Sequence, residues 1–167
     1  MKFKFYTSYF YQIRFFQPNM IPLSTACGDP KWFHDFKDKG HCFVDKRGVI
    51  NGLRAEMLHP GPMCAGTCDG GKKVDCGKDP SKCSFLKIYE FQLAGVDWEN
   101  FLVRCRHTAE AVHEWNKYEG EPVFVLMVHE AWYNPCSERV TLQNWIKAHG
   151  YECTELPYVN GKFISLQ

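Results

Sequence analysis

The sequence predicts an α/β fold in which helices flank a mostly parallel sheet. Residues 123–128, VFVLMV, are a continuous apolar segment of the kind that forms a strand buried on both faces. Segments with helical periodicity lie on either side of it, and residues 151–156 alternate like a final strand. Helix, buried strand, helix and strand in this order are typical of parallel α/β units. The expected architecture is therefore Rossmann-like.

Length and composition fit one domain over residues 1–167. A mass of 19.4 kDa with 45% apolar and 23% charged residues is ordinary for a soluble globular protein. The 20 basic and 19 acidic residues give a net charge of +1, which argues against binding through non-specific attraction to phosphate backbones or anionic lipids. No segment has the roughly 18 apolar residues of a membrane span, and the N-terminal aromatic segment lacks the apolar core of a signal peptide. We therefore expect a cytoplasmic protein without membrane association.

Two strands are expected in the N-terminal part of the chain. Residues 3–10, FKFYTSYF, are aromatic and weakly alternating, which predicts a strand. Residues 20–27 are a second short apolar segment, and the Gly-Asp-Pro turn at 28–30 ends it. Residues 31–52 mix aromatic, lysine and glycine residues without a sustained period, which is typical of a loop.

Two helices are expected in the second half. Asp97 is a suitable N-cap for a helix that continues to about Tyr118. A second helix begins at Ser137 or Glu138 and continues to His149. The first helix carries its apolar residues at steps of three and four, namely Phe101, Leu102, Cys105, Ala109, Val112 and Trp115.

Four of the nine cysteines lie close together within a cysteine-rich insertion, residues 59–84. This segment is rich in Gly, Pro, Lys and Asp and has almost no aliphatic residues, so it cannot form an apolar core of its own. Thiolates are soft ligands, four of them satisfy a tetrahedral zinc ion, and the bound metal would supply the ordering free energy that burial cannot. The predicted metal ligands, at the spacing C-x3-C-x7-C-x6-C, are Cys64, Cys68, Cys76 and Cys83.

The expected zinc site is structural, because four protein ligands leave no open coordination position for a substrate. Two alternatives stay open: an iron–sulfur cluster on the same four thiolates, and free thiols on a surface loop. His59 is an alternative ligand. The lysines of the insertion are either solvated or contacts for nucleic acid, and they are Lys72, Lys73, Lys78 and Lys82.

The segment 129–139 joins the buried strand to the second helix and carries the candidate active site. In open α/β sheets, ligands bind outside the carboxyl ends of the strands, where this segment is expected to lie. Glu130 leaves the strand as a carboxylate, and Cys136 and Ser137 precede a helix whose N-terminal N–H groups favour an anion or a thiolate. Arg139 is a cation in the first helical turn, where the helix dipole disfavours one, and this placement suggests a bound phosphate or carboxylate.

The structural alternative for this segment is simple. Ser137 caps the helix, and Arg139 pairs with Glu130 and ties the loop to the helix. If the segment is instead a substrate pocket, residues from other elements should complete it, and a tryptophan would offer a stacking surface for a base. The residues expected to line the pocket are Tyr6, Ser8 and Trp132.

Several segments resemble the uncharacterised bacterial and phage proteins grouped as domain of unknown function 488. The similarity covers most of the chain. The signature block of many members is a strand ending in Glu, a Cys-His-Arg triplet and a helix with Trp. The similar segments here are YTSYF (6–10), IPLSTA (21–26), DPKWF (29–33), VLMVHE (125–130), CSER (136–139) and LQNWIKAHGYECTEL (142–156).

The resemblance implies the same fold and a site at the same place. When Arg139 is aligned with the signature Arg, Glu130 takes the place of the signature Glu. Ser137 then takes the place of the signature Cys and Glu138 that of the signature His, so Cys136 lies one position early. The family has no settled activity, so the resemblance implies no reaction.

Together these residues predict an enzyme that acts on a nucleotide, nucleoside or nucleic-acid base. Arg139 and the helix start at Ser137 would hold an anionic group, and Glu130 would act as general base or nucleophile. The first alternative is a non-catalytic, zinc-stabilised module that binds protein or nucleic acid. The second is a thiol-dependent redox or metal-sensing protein that uses Cys136 and the cysteine cluster.

Overall fold

The computed structural model describes residues 2–33, 52–61, 79–130, 136–159 and 162–163. Within these ranges the chain forms a five-stranded sheet in which all neighbouring strands are parallel, so the predicted α/β fold is confirmed. The strand order is β3-β2-β4-β1-β5. The strands are β1 (Lys4–Tyr9), β2 (Met20–Ser24), β3 (Leu53–Arg54), β4 (Val123–Val128) and β5 (Cys153–Glu155). A separate antiparallel ribbon consists of β6 (Tyr158–Val159) and β7 (Lys162–Phe163).

The described residues form three α-helices, which are α1 (Ser84–Ala94), α2 (Trp98–Asn116) and α3 (Arg139–Ala148). The two predicted helices correspond to α2 and α3, whereas α1 was not predicted from periodicity. Asp97 caps α2 as expected, since its side chain accepts a hydrogen bond of 3.0 Å from the Asn100 N–H. None of these helices combines the length and the apolar character needed to cross a bilayer.

The three described helices pack on the same face of the sheet. Buried residues from all of them join one large apolar cluster with the sheet, for example Leu93 of α1, Phe101 of α2 and Ile146 of α3. A smaller cluster covers the other face, and it includes the 3-10 helix Phe10–Phe15 and Phe33. The described part of the chain therefore has helices on one face of the sheet and a 3-10 segment on the other.

Strand β4 is the centre of the sheet and is buried along its whole length. Its side chains alternate between the two apolar clusters, because successive residues of a strand point to opposite faces. Phe124 and Leu126 belong to the large cluster, and Val125 and Met127 to the small one. Burial on both faces explains why residues 123–128 are continuously apolar, as the sequence predicted.

The strand order creates a topological switch point between β2 and β4. These two strands are neighbours, and the chain leaves β2 toward β3 on one side but leaves β4 toward β5 on the other. In open parallel sheets, the carboxyl ends of two such strands flank the ligand-binding crevice. The residues that follow Ser24 and Val128 therefore lie where a ligand is expected.

Candidate functional site

Two glutamates meet at the carboxyl end of β4. Glu130 lies two residues beyond the strand and is half-buried, whereas Glu138, the N-cap of α3, is only 6% exposed. Burial is the main cause that raises the pKa of Glu138 to about 7, and the charge of Glu130 and a hydrogen bond to its side chain add to the rise. A carboxylate beside a buried carboxyl group disfavours ionisation of the buried one. Glu138 therefore keeps its proton close to neutral pH.

Ser137 fixes this carboxyl pair to the start of α3. Its hydroxyl donates a hydrogen bond of 3.2 Å to Glu130 Oε2 and accepts one of 3.3 Å from the Arg139 N–H. Ser137 is almost fully buried. A carboxylate from the protein itself thus lies at the helix start, where the sequence predicted an anionic ligand.

Arg139 has its own carboxylate partner inside the protein. Its Nε forms an ion pair with Glu155 Oε2 at 3.0 Å, and its side chain is 3% exposed. Its Nη2 donates a hydrogen bond to the main-chain oxygen of Glu130. The structural alternative expected Arg139 to pair with Glu130. The two residues do contact each other, but through the main-chain carbonyl group of Glu130. The carboxylate that balances the charge of Arg139 is Glu155 of β5.

Glu155 is held in turn by residues of β1 and α3. The Thr7 hydroxyl donates a hydrogen bond of 2.8 Å to Glu155 Oε2, and Gln143 Nε2 donates one of 2.6 Å to Thr7 Oγ1. Burial raises the pKa of Glu155, although Arg139 and Thr7 act in the opposite direction. This chain of contacts links α3, β1 and β5 behind the carboxyl pair.

A second polar cluster lies at the ends of β2 and β3. The Ser24 hydroxyl donates to Asp29 Oδ1, and Arg54 Nε donates a hydrogen bond of 2.9 Å to Asp29 Oδ2. His59 Nε2 lies 3.2 Å from the main-chain oxygen of Ser24, and burial is the main cause that lowers the pKa of His59. The sequence marked Asp29 only within a turn and within one of the segments similar to the family, although an acidic residue in the loop after a buried strand was a signal for a site.

One contact and one electrostatic interaction connect this cluster to the carboxyl pair. His129, next to Glu130, contacts the main-chain oxygen of Gly28 through Nε2. Cys27 donates a hydrogen bond of 3.2 Å to the Pro60 carbonyl, and its pKa is raised first by burial and then by the charge of Glu138. The two clusters are therefore neighbours at the carboxyl edge of the sheet, where a switch point predicts a ligand crevice.

The remaining predicted residues are placed as follows. Tyr6 is half-buried against the smaller apolar cluster and Ser8 is buried, and both lie on the opposite face of β1 from Thr7. Cys136 is half-buried and precedes α3 by three residues. Cys83 is buried directly before α1. The predicted residues outside the described ranges are Trp132, Cys64, Cys68 and Cys76.

The part of the chain that the structure describes contains no group of three or more His, Cys, Asp or Glu side chains suited to a metal ion. No family model matches the sequence, and neither a curated protein nor a solved structure is detectably similar to it. The chemistry of the site is therefore inferred from its own side chains. A hydrogen-bonded carboxyl pair beside an expected ligand crevice is suited to proton transfer.

Proposed function

We propose that this protein is an enzyme that acts on a nucleotide, nucleoside or nucleic-acid base, with Glu130 and Glu138 as its acid–base pair. The observation that carries the proposal is their contact at the switch point, together with a pKa of about 7 for Glu138. A carboxyl group that exchanges its proton near neutral pH transfers protons efficiently in both directions. Neighbouring carboxyl groups in different environments commonly divide into an acid and a base.

The difference in burial assigns the two roles. Glu138 is the more buried carboxyl group and holds the proton, so it is the general acid that protonates the leaving group. Glu130 is half-buried and is oriented by the Ser137 hydroxyl. It accepts the proton of an attacking water, or its carboxylate attacks the reacting carbon directly. In both cases the charges balance, because Glu138 gives its proton to the leaving group and becomes a carboxylate, while Glu130 loses its negative charge. Glu130 does so either by accepting the proton of the water or by donating an electron pair to the bond it forms with the reacting carbon.

The same carboxyl pair limits which part of the substrate reacts there. Its negative charge disfavours a phosphate at the start of α3, so the reacting part is an uncharged or cationic group such as a base or a sugar. The ring of His129, beside Glu130, lies 5.0 Å from the ring of Phe10. Phe10 is buried, so the exposed ring of His129 is the one that supports stacking of a base.

We also propose the zinc site and the finer fold assignment. A zinc ion on Cys64, Cys68, Cys76 and Cys83 would fix the start of α1, because Cys83 directly precedes that helix. Reduced thiols of this kind agree with a cytoplasmic location. We further propose a Rossmann-like topology for the parallel sheet, and membership of domain of unknown function 488 on the sequence segments named above. Metal analysis of the purified protein tests the site, with loss of zinc expected in Cys68→Ser and full zinc in Cys27→Ser.

The decisive experiment incubates the purified protein with a panel of nucleosides, nucleotides and bases and follows product release by chromatography. Glu130→Gln and Glu138→Gln are expected to lose activity by about 100-fold or more. Glu152→Gln, an exposed glutamate after α3, is the matched control and keeps activity. Full activity in both site variants would refute the proposal. Binding without turnover would favour the non-catalytic, zinc-stabilised module.

A further inference from the structure

One face of α1 is exposed and carries a large apolar side chain. Phe91 is 81% exposed, the highest value among the large apolar side chains that the structure describes. Ser84, Lys87, Glu90 and Ala94 are exposed as well. Because residues three and four positions apart are neighbours on a helix surface, this set forms one continuous face, which we call the Phe91 face.

A groove between α1 and α3 extends the Phe91 face. The groove has a volume of about 860 Å³. The apolar residues that line it come from both helices and are Leu86, Leu93, Ala94, Val140, Trp145 and Ala148. Ala94 is one helical turn from Phe91, so the groove and the face are continuous. Several apolar residues in one exposed surface, unlike an isolated one, are typical of a site that another molecule covers.

The charged residues of the Phe91 face favour a second copy of the chain as the partner. Lys87 and Glu90 are exposed, lie three residues apart on α1, and both border the groove. Among the described residues, neither side chain has an ion-pair partner. In a twofold interface, a residue meets a different residue of the other copy, and the same contact occurs twice. A face that presents a cation and an anion side by side is therefore complementary to itself.

We propose that the Phe91 face and the groove form the interface of a homodimer, in which α1 packs antiparallel against α1 of a second copy. The apolar side chains exclude water at the centre of the interface, and Lys87 and Glu90 set the direction in which the two helices pair. This inference does not depend on the proposed function, because neither Glu130 nor Glu138 takes part in it.

The antiparallel pairing brings complementary side chains together twice. When the twofold axis passes close to the middle of α1, Lys87 of each copy lies opposite the partner's Glu90. Phe91 then packs on the first turn of the partner's helix, beside the partner's Ser84. Ser84 and Ala94, at the two ends of the face, are small enough for the helices to approach closely. Each copy thereby buries the ring of its Phe91 and pairs two of its charges.

Sedimentation equilibrium of the intact protein tests the dimer, in a reducing buffer that prevents dimers linked by disulfides. Wild type is expected to sediment as a dimer at micromolar concentration. Phe91→Ser should weaken dimerisation by about tenfold or more, because each copy loses an apolar side chain at the centre of the interface. Val103→Ser removes an apolar side chain that is 39% exposed on α2, and this matched control should dimerise like wild type.

A pair of charge reversals tests how the helices are arranged. Lys87→Glu and Glu90→Lys each bring like charges together twice, so each variant alone should dimerise about tenfold more weakly than wild type. An equimolar mixture of the two variants restores both ion pairs, since one copy carries two acidic side chains and the other two basic ones. The mixture should therefore form a heterodimer about as stable as the wild-type dimer. Both positions are exposed, so the variants should fold, and circular dichroism checks this.

Three results would overturn the proposal. The first is a wild-type protein that stays monomeric at every concentration, including a monomer that native mass spectrometry shows to carry a different molecule. The second is a dimer that Phe91→Ser does not weaken. The third is a mixture of Lys87→Glu and Glu90→Lys that associates no better than either variant alone.

Discussion

Arg139 and Glu155 form a buried ion pair between the first turn of α3 and the edge strand β5. Their charged atoms lie 3.0 Å apart, and their side chains are 3% and 14% exposed. Because Arg139 also donates to the main-chain oxygen of Glu130, the pair anchors the end of β4. The arginine is therefore part of the scaffold that positions the glutamate pair.

Removal of either partner is expected to destabilise the protein strongly. Arg139→Met leaves Glu155 as a buried carboxylate without its cation. Glu155→Leu leaves Arg139 as a buried cation without its carboxylate partner. Loss of one member of a buried pair costs about 3–5 kcal/mol of unfolding free energy, and the double variant should recover much of it. Urea denaturation measures these values. Lys117→Gln, which breaks an exposed pair with Glu114, is the control and should change little.

Glu138 is expected to make the protein less stable as the pH rises. The folded state binds the Glu138 proton with a pKa of about 7, whereas the unfolded chain releases it near 4.5. Between these pH values the folded state holds more protons, so the unfolding free energy falls as the pH increases. The contribution of Glu138 is at most about 3 kcal/mol across this window.

Glu138→Gln should remove this pH dependence. The measurement is the difference in unfolding free energy between wild type and variant near pH 4.5 and near pH 7. Taking the difference at each pH cancels the opposite effect of His59, whose lowered pKa reduces stability as the pH falls below about 6.5. A difference that is the same at both pH values would show that Glu138 titrates normally.

The thiol of Cys27 is expected to report on the charge of Glu138. Thiolates are the reactive form of cysteine. Burial is the main cause that raises the pKa of the Cys27 thiol, and the charge of Glu138 adds to the rise. Glu138→Gln should therefore speed alkylation of Cys27 by iodoacetamide above pH 7, whereas Glu152→Gln should not. Mass spectrometry of labelled peptides measures the rate. Equal rates in wild type and Glu138→Gln would contradict the proximity of the two side chains.

Asp97 is expected to stabilise α2 through its capping hydrogen bond to the Asn100 N–H. Asp97→Ala should lower the unfolding free energy by about 1 kcal/mol, because one N–H at the helix start loses its acceptor. Asp97→Asn keeps an acceptor and should cost less than the alanine variant. Chemical denaturation measures both, and an unchanged alanine variant would show that the cap contributes nothing.

Local patterns were enough to predict the elements whose apolar residues have one clear period. Strand β4 is buried on both faces and α2 on one, so their patterns identify them. Helix α1 was missed because its apolar residues do not mark one face: Phe91 is 81% exposed, whereas Tyr89 and Leu93 are buried. Strand β3 has two residues, which is too short for any periodicity.

The candidate site was predicted only where its residues are close along the chain. Glu130, Ser137 and Arg139 belong to one strand–loop–helix connection, and the structure does bring them together. Glu155 reaches Arg139 because β5 lies at the edge of the sheet beside β1, and local patterns do not determine strand order. The role of Glu138 depends on its burial. A glutamate at the start of a helix is expected to be exposed, so the sequence does not indicate that this one is buried.

The most direct test of the glutamate pair is a pH titration of the glutamate carboxyl carbons by NMR in protein labelled with carbon-13 at those positions. One resonance is expected to titrate near pH 7, to disappear in Glu138→Gln and to move to a lower pH in Glu130→Gln. Titration of every glutamate resonance near the ordinary value of about 4.3 would contradict the account.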